Sequence, residues 1–262
     1  MITILGIQYL ARQKCRGSGM LKSATGKNGG FLSQLAPVGR ETVQDRVYGE
    51  LRRALIGGLF EPSQVLTIRA LADALATSTM PVREALSRLV TEKALEALPN
   101  RSVRVPPMTP ERMDDLLRAR ILTEGEAIAL AATHMTADQI ATVEDILAQW
   151  DDMRERDKVV GRELELNQAF HFEIYRACGS AVLLPMIESL WLQSGPCIRA
   201  AIYAFSQGDD IDTAQYHRSM VAALVARDPR AAREALVGDI SRPFTYLRDR
   251  LKAEAGLLET EA

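Results

Sequence analysis

The stretch "STMPVREALSRLV", residues 78–90, opens on two hydroxyl residues, passes through a proline and then runs at helical spacing, with Leu86, Leu89 and Val90 on one face. Pro81 fits such a helix only near its start, where the first-turn N–H groups have no intrahelical acceptor to lose. Upstream, "TIRALADALA" (67–76) reads as a short helix with Thr67 as N-cap. Before that, Val43, Val47, Leu51, Leu55 and Ile56 recur every three to four residues from Glu41, up to a stop at Gly57-Gly58. Downstream, "ALEALPNRSVRVPP" (94–107) reads as two short strands around a turn at Pro99-Asn100-Arg101-Ser102. Three helices followed by a β-hairpin make a winged helix-turn-helix, in which the second helix braces the third and the third enters the DNA major groove by its N-terminal residues. That geometry turns Thr79, Met80 and Arg83 toward DNA. Ser78 is then the cap of the helix, offering a hydroxyl or backbone N–H to a phosphate.

The run from Val47 to Val105, "VYGELRRALIGGLFEPSQVLTIRALADALATSTMPVREALSRLVTEKALEALPNRSVRV", resembles the DNA-binding domain of the GntR superfamily of bacterial transcription regulators. The resemblance rests on the P-V-R-E-A-L core, the G-x-L-x-P turn and the L-A-D-x-L brace. It implies double-stranded operator DNA as a partner, with Arg69 on the brace helix, Thr79 and Arg83 on the recognition helix, and the hairpin tip with Arg101, as contacts. The chain departs from the family where Thr79 stands for the usual arginine, removing one guanine-reading group. It departs again where Ser102 replaces the wing glycine and Pro62-Ser63 the usual proline-glycine.

Residues 1–38, rich in Gly, Ser and Lys without sustained periodicity, are expected to be a disordered basic arm, within which Met20 stands as an alternative initiator. The winged domain is expected over 39–107. Residues 108–262 show no strand-like alternation and read as an all-α bundle. Its first helix opens at Thr109-Pro110, and Thr136 with Gln139 forms a capping box for the next. Further helices fit 160–178, 181–206 with a kink at Pro196, 210–227, and 229–253 with Asp228 as N-cap. The fold class expected is therefore mostly α, a winged helix-turn-helix followed by a helical effector-binding and dimerisation domain. The segments "RILTEGEAIALAA", "NQAFHFEIYRACGS" and "YHRSMVAALVARDPRAAREAL" resemble the FCD effector-binding domain of the FadR-type branch.

Charge follows the same division. The net −2 splits into +7 over residues 1–107 and −9 over 108–262, so only the first part is suited to approach a polyanion. Three cysteines without C-x-x-C spacing speak against a disulfide framework or a thiolate zinc site. The start places apolar residues before basic ones, the reverse of a secretory signal, and no run reaches the roughly 18 apolar residues of a membrane span. A cytoplasmic protein without membrane partners is the expectation.

Two of the three histidines fall in the FCD-like segments. Asn167 and His171 are four apart and share a helix face; His217 and Asp239 flank the Asp228-Pro229 break and belong to neighbouring antiparallel helices. Many proteins of the family bind a divalent metal through a carboxylate and three histidines at matching positions; here Asn167 replaces the Asp and Asp239 the last His. The resemblance thus implies a site for zinc, nickel or manganese on Asn167, His171, His217 and Asp239. The same residues read, without metal, as histidines hydrogen-bonded in a polar core or touching an effector directly. His134, near a helix end, reads as a capping or surface residue. Arg120 and Glu124, four apart in an apolar helix, read either as a helix-face ion pair or as a small-carboxylate effector site in which Arg120 clamps the acid. The function expected is a homodimeric transcription repressor on a palindromic operator, controlled by a small organic acid. A helical metallo-enzyme with a DNA-binding appendage and a metal-free acyl-CoA sensor are the alternatives.

Overall fold

The structure is a computed structural model describing residues 42–99, 102–156, 160–207 and 214–260. The arm, Arg101 of the wing tip and residues 210–213 of the expected 210–227 helix lie outside the described residues.

Helix α1 (Val43–Ile56) begins because Thr42 takes an extended conformation and exchanges hydrogen bonds with Asp45 in a full capping box. It buries Val47, Leu51, Leu55 and Ile56 along one stripe. A turn through Gly58, at φ +62°, leads to β1 (Val65–Leu66), α2 (Ile68–Ala74, capped by Thr67), α3 (Thr79–Thr91), β2 (Glu96–Ala97) and β3 (Val103–Arg104). The strands form one antiparallel sheet in the order β1-β3-β2. The expected hairpin is β2–β3, and β1 adds a third strand on the other edge of β3 that the sequence did not suggest. β1 is two residues long and is defined by its pairing with Val103 and Arg104, so no alternation within it announced it. Ser63 sits just before it at φ 65°, in the left-handed region that favours glycine.

Helix α3 buries Val82, Ala85, Leu86 and Leu89 against α1 and α2, each large side chain contributing about 1.5–3 kcal/mol on leaving water. Ser78 holds the N-cap backbone conformation, but its side chain makes no capping hydrogen bond, contrary to the expectation. The reason is Pro81: it occupies the N3 position, so the amide that a serine cap normally engages is missing.

The second half is all helical among the described residues: α4 (Pro110–His134), α5 (Ala137–Arg156), α6 (Val160–Arg176), α7 (Leu183–Gln207), α8 (Gln215–Val225) and α9 (Pro229–Thr260). Thr109 caps α4, and the reciprocal Thr136–Gln139 bonds start α5. Asp228 accepts from the amides of Arg230 and Ala231 to start α9. Helix α7 continues through Pro196, and α9 through Pro243.

Helix α4 packs along α9, and α7 lies against α4, α6 and α9 on one side and against α1 on the other. The contact with α1 is close. At Gly195 a Cβ would collide with the backbone oxygens of Leu55 and Ile56, and Gly58 faces Arg199 in the same way. Arg52 of α1 also reaches Glu188 of α7 at 2.9 Å. Helix α7 is thus the element that touches both the winged domain and the interior of the bundle.

Candidate functional site

On the winged domain the outer side of α3 exposes Thr79, Met80 and Arg83, and Arg69 is exposed on α2. Met80 is 61% exposed. Arg69 and Arg83 make no ion pair with the described residues, whereas Arg88 bonds Glu92 and stacks over Tyr48, and Arg104 pairs with Glu96. Arg46 and Lys93 are likewise exposed and make no ion pair with the described residues, so Arg69 and Arg83 are two of several outward cations of this domain.

Inside the bundle, α6, α8 and α9 converge. Gly238 on α9 meets the ring of Tyr216 so closely that a Cβ would collide with it. That close approach brings the adjacent Asp239 beside His217. His171 Nε2 lies 3.2 Å from Asp239 Oδ2, His217 Nε2 lies 3.5 Å from Asp239 Oδ1, and the two imidazole Nε2 atoms are 3.3 Å apart. Both histidines are buried. Asn167, one turn before His171 on α6, lines the same cavity of about 60 Å³ together with Arg120, Trp150, Glu163 and Arg242. His134 is exposed at the end of α4, with Nδ1 3.4 Å from the Cys178 carbonyl, apart from this cluster.

Electrostatics keep His217 and Asp239 unprotonated. Burial pushes the His217 imidazole down to about 4, against the pull of Asp239, so it is neutral at neutral pH. Burial pushes the Asp239 carboxyl up, but the two histidines outweigh it and hold the group below the usual carboxylate range. His217 Nδ1 and Trp150 Nε1 are buried without hydrogen-bond partners among the described residues, their rings 4.4 Å apart.

Beneath the histidines lies a layer that sequence reading did not assemble. Arg120 binds Glu124 through two nitrogens, Nε at 2.6 Å and Nη2 at 3.1 Å, and both residues are buried. Glu124 also accepts from Tyr175 Oη at 2.6 Å and Trp191 Nε1 at 3.1 Å. Tyr175 Oη in turn sits 3.2 Å from His171 Nδ1. Burial, and then the Glu124 carboxylate, raise the Tyr175 hydroxyl well above the ordinary tyrosine value, so it stays protonated. The helix-face pair Arg120–Glu124 is thus present and is the base of a polar network. Arg120 nevertheless lines the cavity, and its Nη1 makes no hydrogen bond with the described residues. The signal for Tyr175 was available as the i, i+4, i+8 stripe Asn167-His171-Tyr175; Trp191, on α7, had none.

Comparison with known proteins agrees in both halves. The model for bacterial regulatory proteins of the gntR family matches residues 43–105, and the FCD domain model matches residues 115–242. The HTH-type transcriptional regulator McbR of Escherichia coli (strain K12) is 29% identical over 73% of this chain and 86% of its own length. The HTH-type transcriptional repressor GlaR of the same organism is 27% identical over 77% of this chain and 94% of its own. The solved structure of E. coli McbR/YncC superposes with a TM-score of 0.74 at 27% identity, covering 80% of this chain and 99% of that one. No helix among the described residues is long and apolar enough to cross a membrane.

Proposed function

Since this chain belongs to the GntR family of bacterial regulatory proteins, with an FCD domain behind its helix-turn-helix, it is a DNA-binding transcription regulator, and we propose that it is a cytoplasmic homodimeric repressor released or retained on its operator by a small organic acid bound beside a divalent cation. The family sets aside the metallo-enzyme alternative. Repression is supported by the likeness to GlaR, which is named a repressor.

The observation that carries the effector reading is the convergence of His171, His217 and Asp239, whose ligand atoms all lie within 4.8 Å of one another. Their separations of 3.2, 3.3 and 3.5 Å match the edges of a coordination polyhedron with bonds of about 2.0–2.1 Å. Two imidazoles and one carboxylate, with the Asn167 amide nearby, suit zinc, nickel or manganese. An ion held by His171, His217 and Asp239 would supply Lewis-acid attraction for a carboxylate. The rest falls to the chain. The small cavity beside the histidines admits a short acid better than an acyl chain, and an acyl-CoA reading would instead use the separate apolar cavity of about 580 Å³ lined by Met113, Cys197, Tyr203, Leu247 and Leu251. Arg120, through Nη1, neutralises the acid, while Ile198 and Ile202 of α7 form the apolar wall. An acid seated there acts on DNA through α7, because α7 carries both that wall and the Gly195 seam with α1. It shifts the placement of the winged domains only by binding one placement more tightly than the other.

The test is a melting experiment on chelator-treated protein, with zinc, nickel or manganese restored singly and a panel of short carboxylic acids added, followed by operator binding under the same conditions. The reading expects a metal-dependent rise in melting temperature and an acid that changes operator affinity only in metal-loaded protein. Identical melting with and without every metal, together with an acid response that survives chelation, would overturn it.

A further inference from the structure

The network beneath the cation site decides which nitrogen of His171 carries its proton. Glu124 is an acceptor only: its Oε1 takes Arg120 Nε, and its Oε2 takes Arg120 Nη2, Trp191 Nε1 and the Tyr175 hydroxyl. Tyr175 has one hydroxyl hydrogen, and its shortest contact, 2.6 Å, is to the Glu124 carboxylate. That hydrogen is therefore committed, and at the 3.2 Å contact with His171 Nδ1 the tyrosine oxygen can only accept. His171 must donate from Nδ1. In the neutral ring its Nε2 is then a lone pair, directed at Asp239 Oδ2 3.2 Å away and His217 Nε2 3.3 Å away.

Two acceptors 3.2 Å apart repel when nothing lies between them. The single proton that His217 Nε2 can hold cannot serve both the Asp239 contact and the His171 contact well. A cation between the three atoms removes the conflict.

From this we infer that Tyr175 is the positioning residue of the site: anchored by Glu124, which Arg120 and Trp191 hold in turn, it locks His171 in the Nδ1–H form and so presents Nε2 ready to ligate. The inference rests on the proposed cation site for its purpose, though not for its geometry. It also gives the buried Arg120–Glu124 pair a task besides the effector, since Arg120 holds Glu124 oriented for Tyr175. The relay draws its members from α4, α6 and α7, so the lock depends on the packing of three helices.

The test separates the lock from the metal. In chelator-treated full-length protein, the imidazole nitrogen resonances of His171, assigned by difference against His171→Gln, should show the neutral Nδ1–H tautomer, and in Tyr175→Phe that preference should be lost. A wild-type His171 found as the Nε2–H tautomer or doubly protonated at neutral pH, or a tautomer unchanged by Tyr175→Phe, overturns the inference. Titration calorimetry with zinc alone should then show Tyr175→Phe binding 10- to 100-fold more weakly than wild type, in the range seen when outer partners of metal-bound histidines are removed. Equal affinities would also overturn it. Wild-type protein that shows the Nδ1–H tautomer yet binds no zinc would sink the cation reading and leave Tyr175 as the lock of a bare histidine pair. The wild-type tautomer needs no variant, so the inference stays testable even if Tyr175→Phe does not fold.

Discussion

The seam between the winged domain and the bundle can be probed by one methyl group. In Gly195→Ala the new Cβ on α7 meets the backbone oxygens of Leu55 and Ile56, and backbone cannot rotate aside as the end of a flexible side chain would. The Leu55 carbonyl is itself engaged, accepting from the amide of Gly58 at 2.9 Å, so moving it disturbs the end of α1. Overpacking of this kind costs about 1–3 kcal/mol, and weakening the Gly58 bond adds up to about 1 kcal/mol. Replacing glycine by alanine within a helix returns about 0.5–1 kcal/mol. The terms sum to a loss of between about 0 and 3.5 kcal/mol, centred near 2, and at about 2–4 °C per kcal/mol the central value lowers the melting temperature by roughly 4–8 °C. Gly49→Ala is the control: it lies in α1 with nothing within 4 Å of the added Cβ. There only the helix gain operates, so the same substitution should raise the melting temperature by about 1–4 °C. Differential scanning calorimetry of the two variants beside wild type decides the matter. A Gly195→Ala protein that melts at or above wild type refutes the tight seam, and with it the role of α7 as the carrier of effector binding to the DNA-binding helices.

Arg83→Ala should weaken operator binding by about 1–3 kcal/mol in a fluorescence titration while leaving the melting curve unchanged, because Arg83 is exposed and makes no ion pair with the described residues; unchanged affinity would remove this face of α3 from the interface. Excess zinc at a hundredfold over its dissociation constant should stabilise wild type by about 2.7 kcal/mol, and His217→Ala should show no zinc-dependent shift; an equal shift in both proteins would place the ion elsewhere. Ser63→Gly should stabilise the winged domain by about 0.5–1 kcal/mol, since Ser63 holds φ 65°, and a lower melting temperature would argue that its backbone is not strained.

What the sequence determined by itself was whatever is encoded within a few residues of chain. Apolar spacing announced α1 and α3, Thr136 with Gln139 announced the start of α5, and Asp228-Pro229 that of α9, because caps and helix faces depend on neighbours three and four residues away. The same locality put Asn167 and His171 on one face and Arg120 beside Glu124. Local reading failed where a local rule had lost its partner, as at Ser78, whose capping amide is absent because Pro81 stands at N3. Tertiary structure alone decided the rest. β1 exists only through its pairing with Val103 and Arg104, which lie nearly forty residues further along the chain. The seam at Gly195 requires α1 and α7 to be laid against each other. Glu124 gathers donors from Arg120, Tyr175 and Trp191 on α4, α6 and α7. Such contacts join residues 46 to 67 positions apart in the cluster around His171, and their energies depend on how whole helices pack, which no short window of sequence contains.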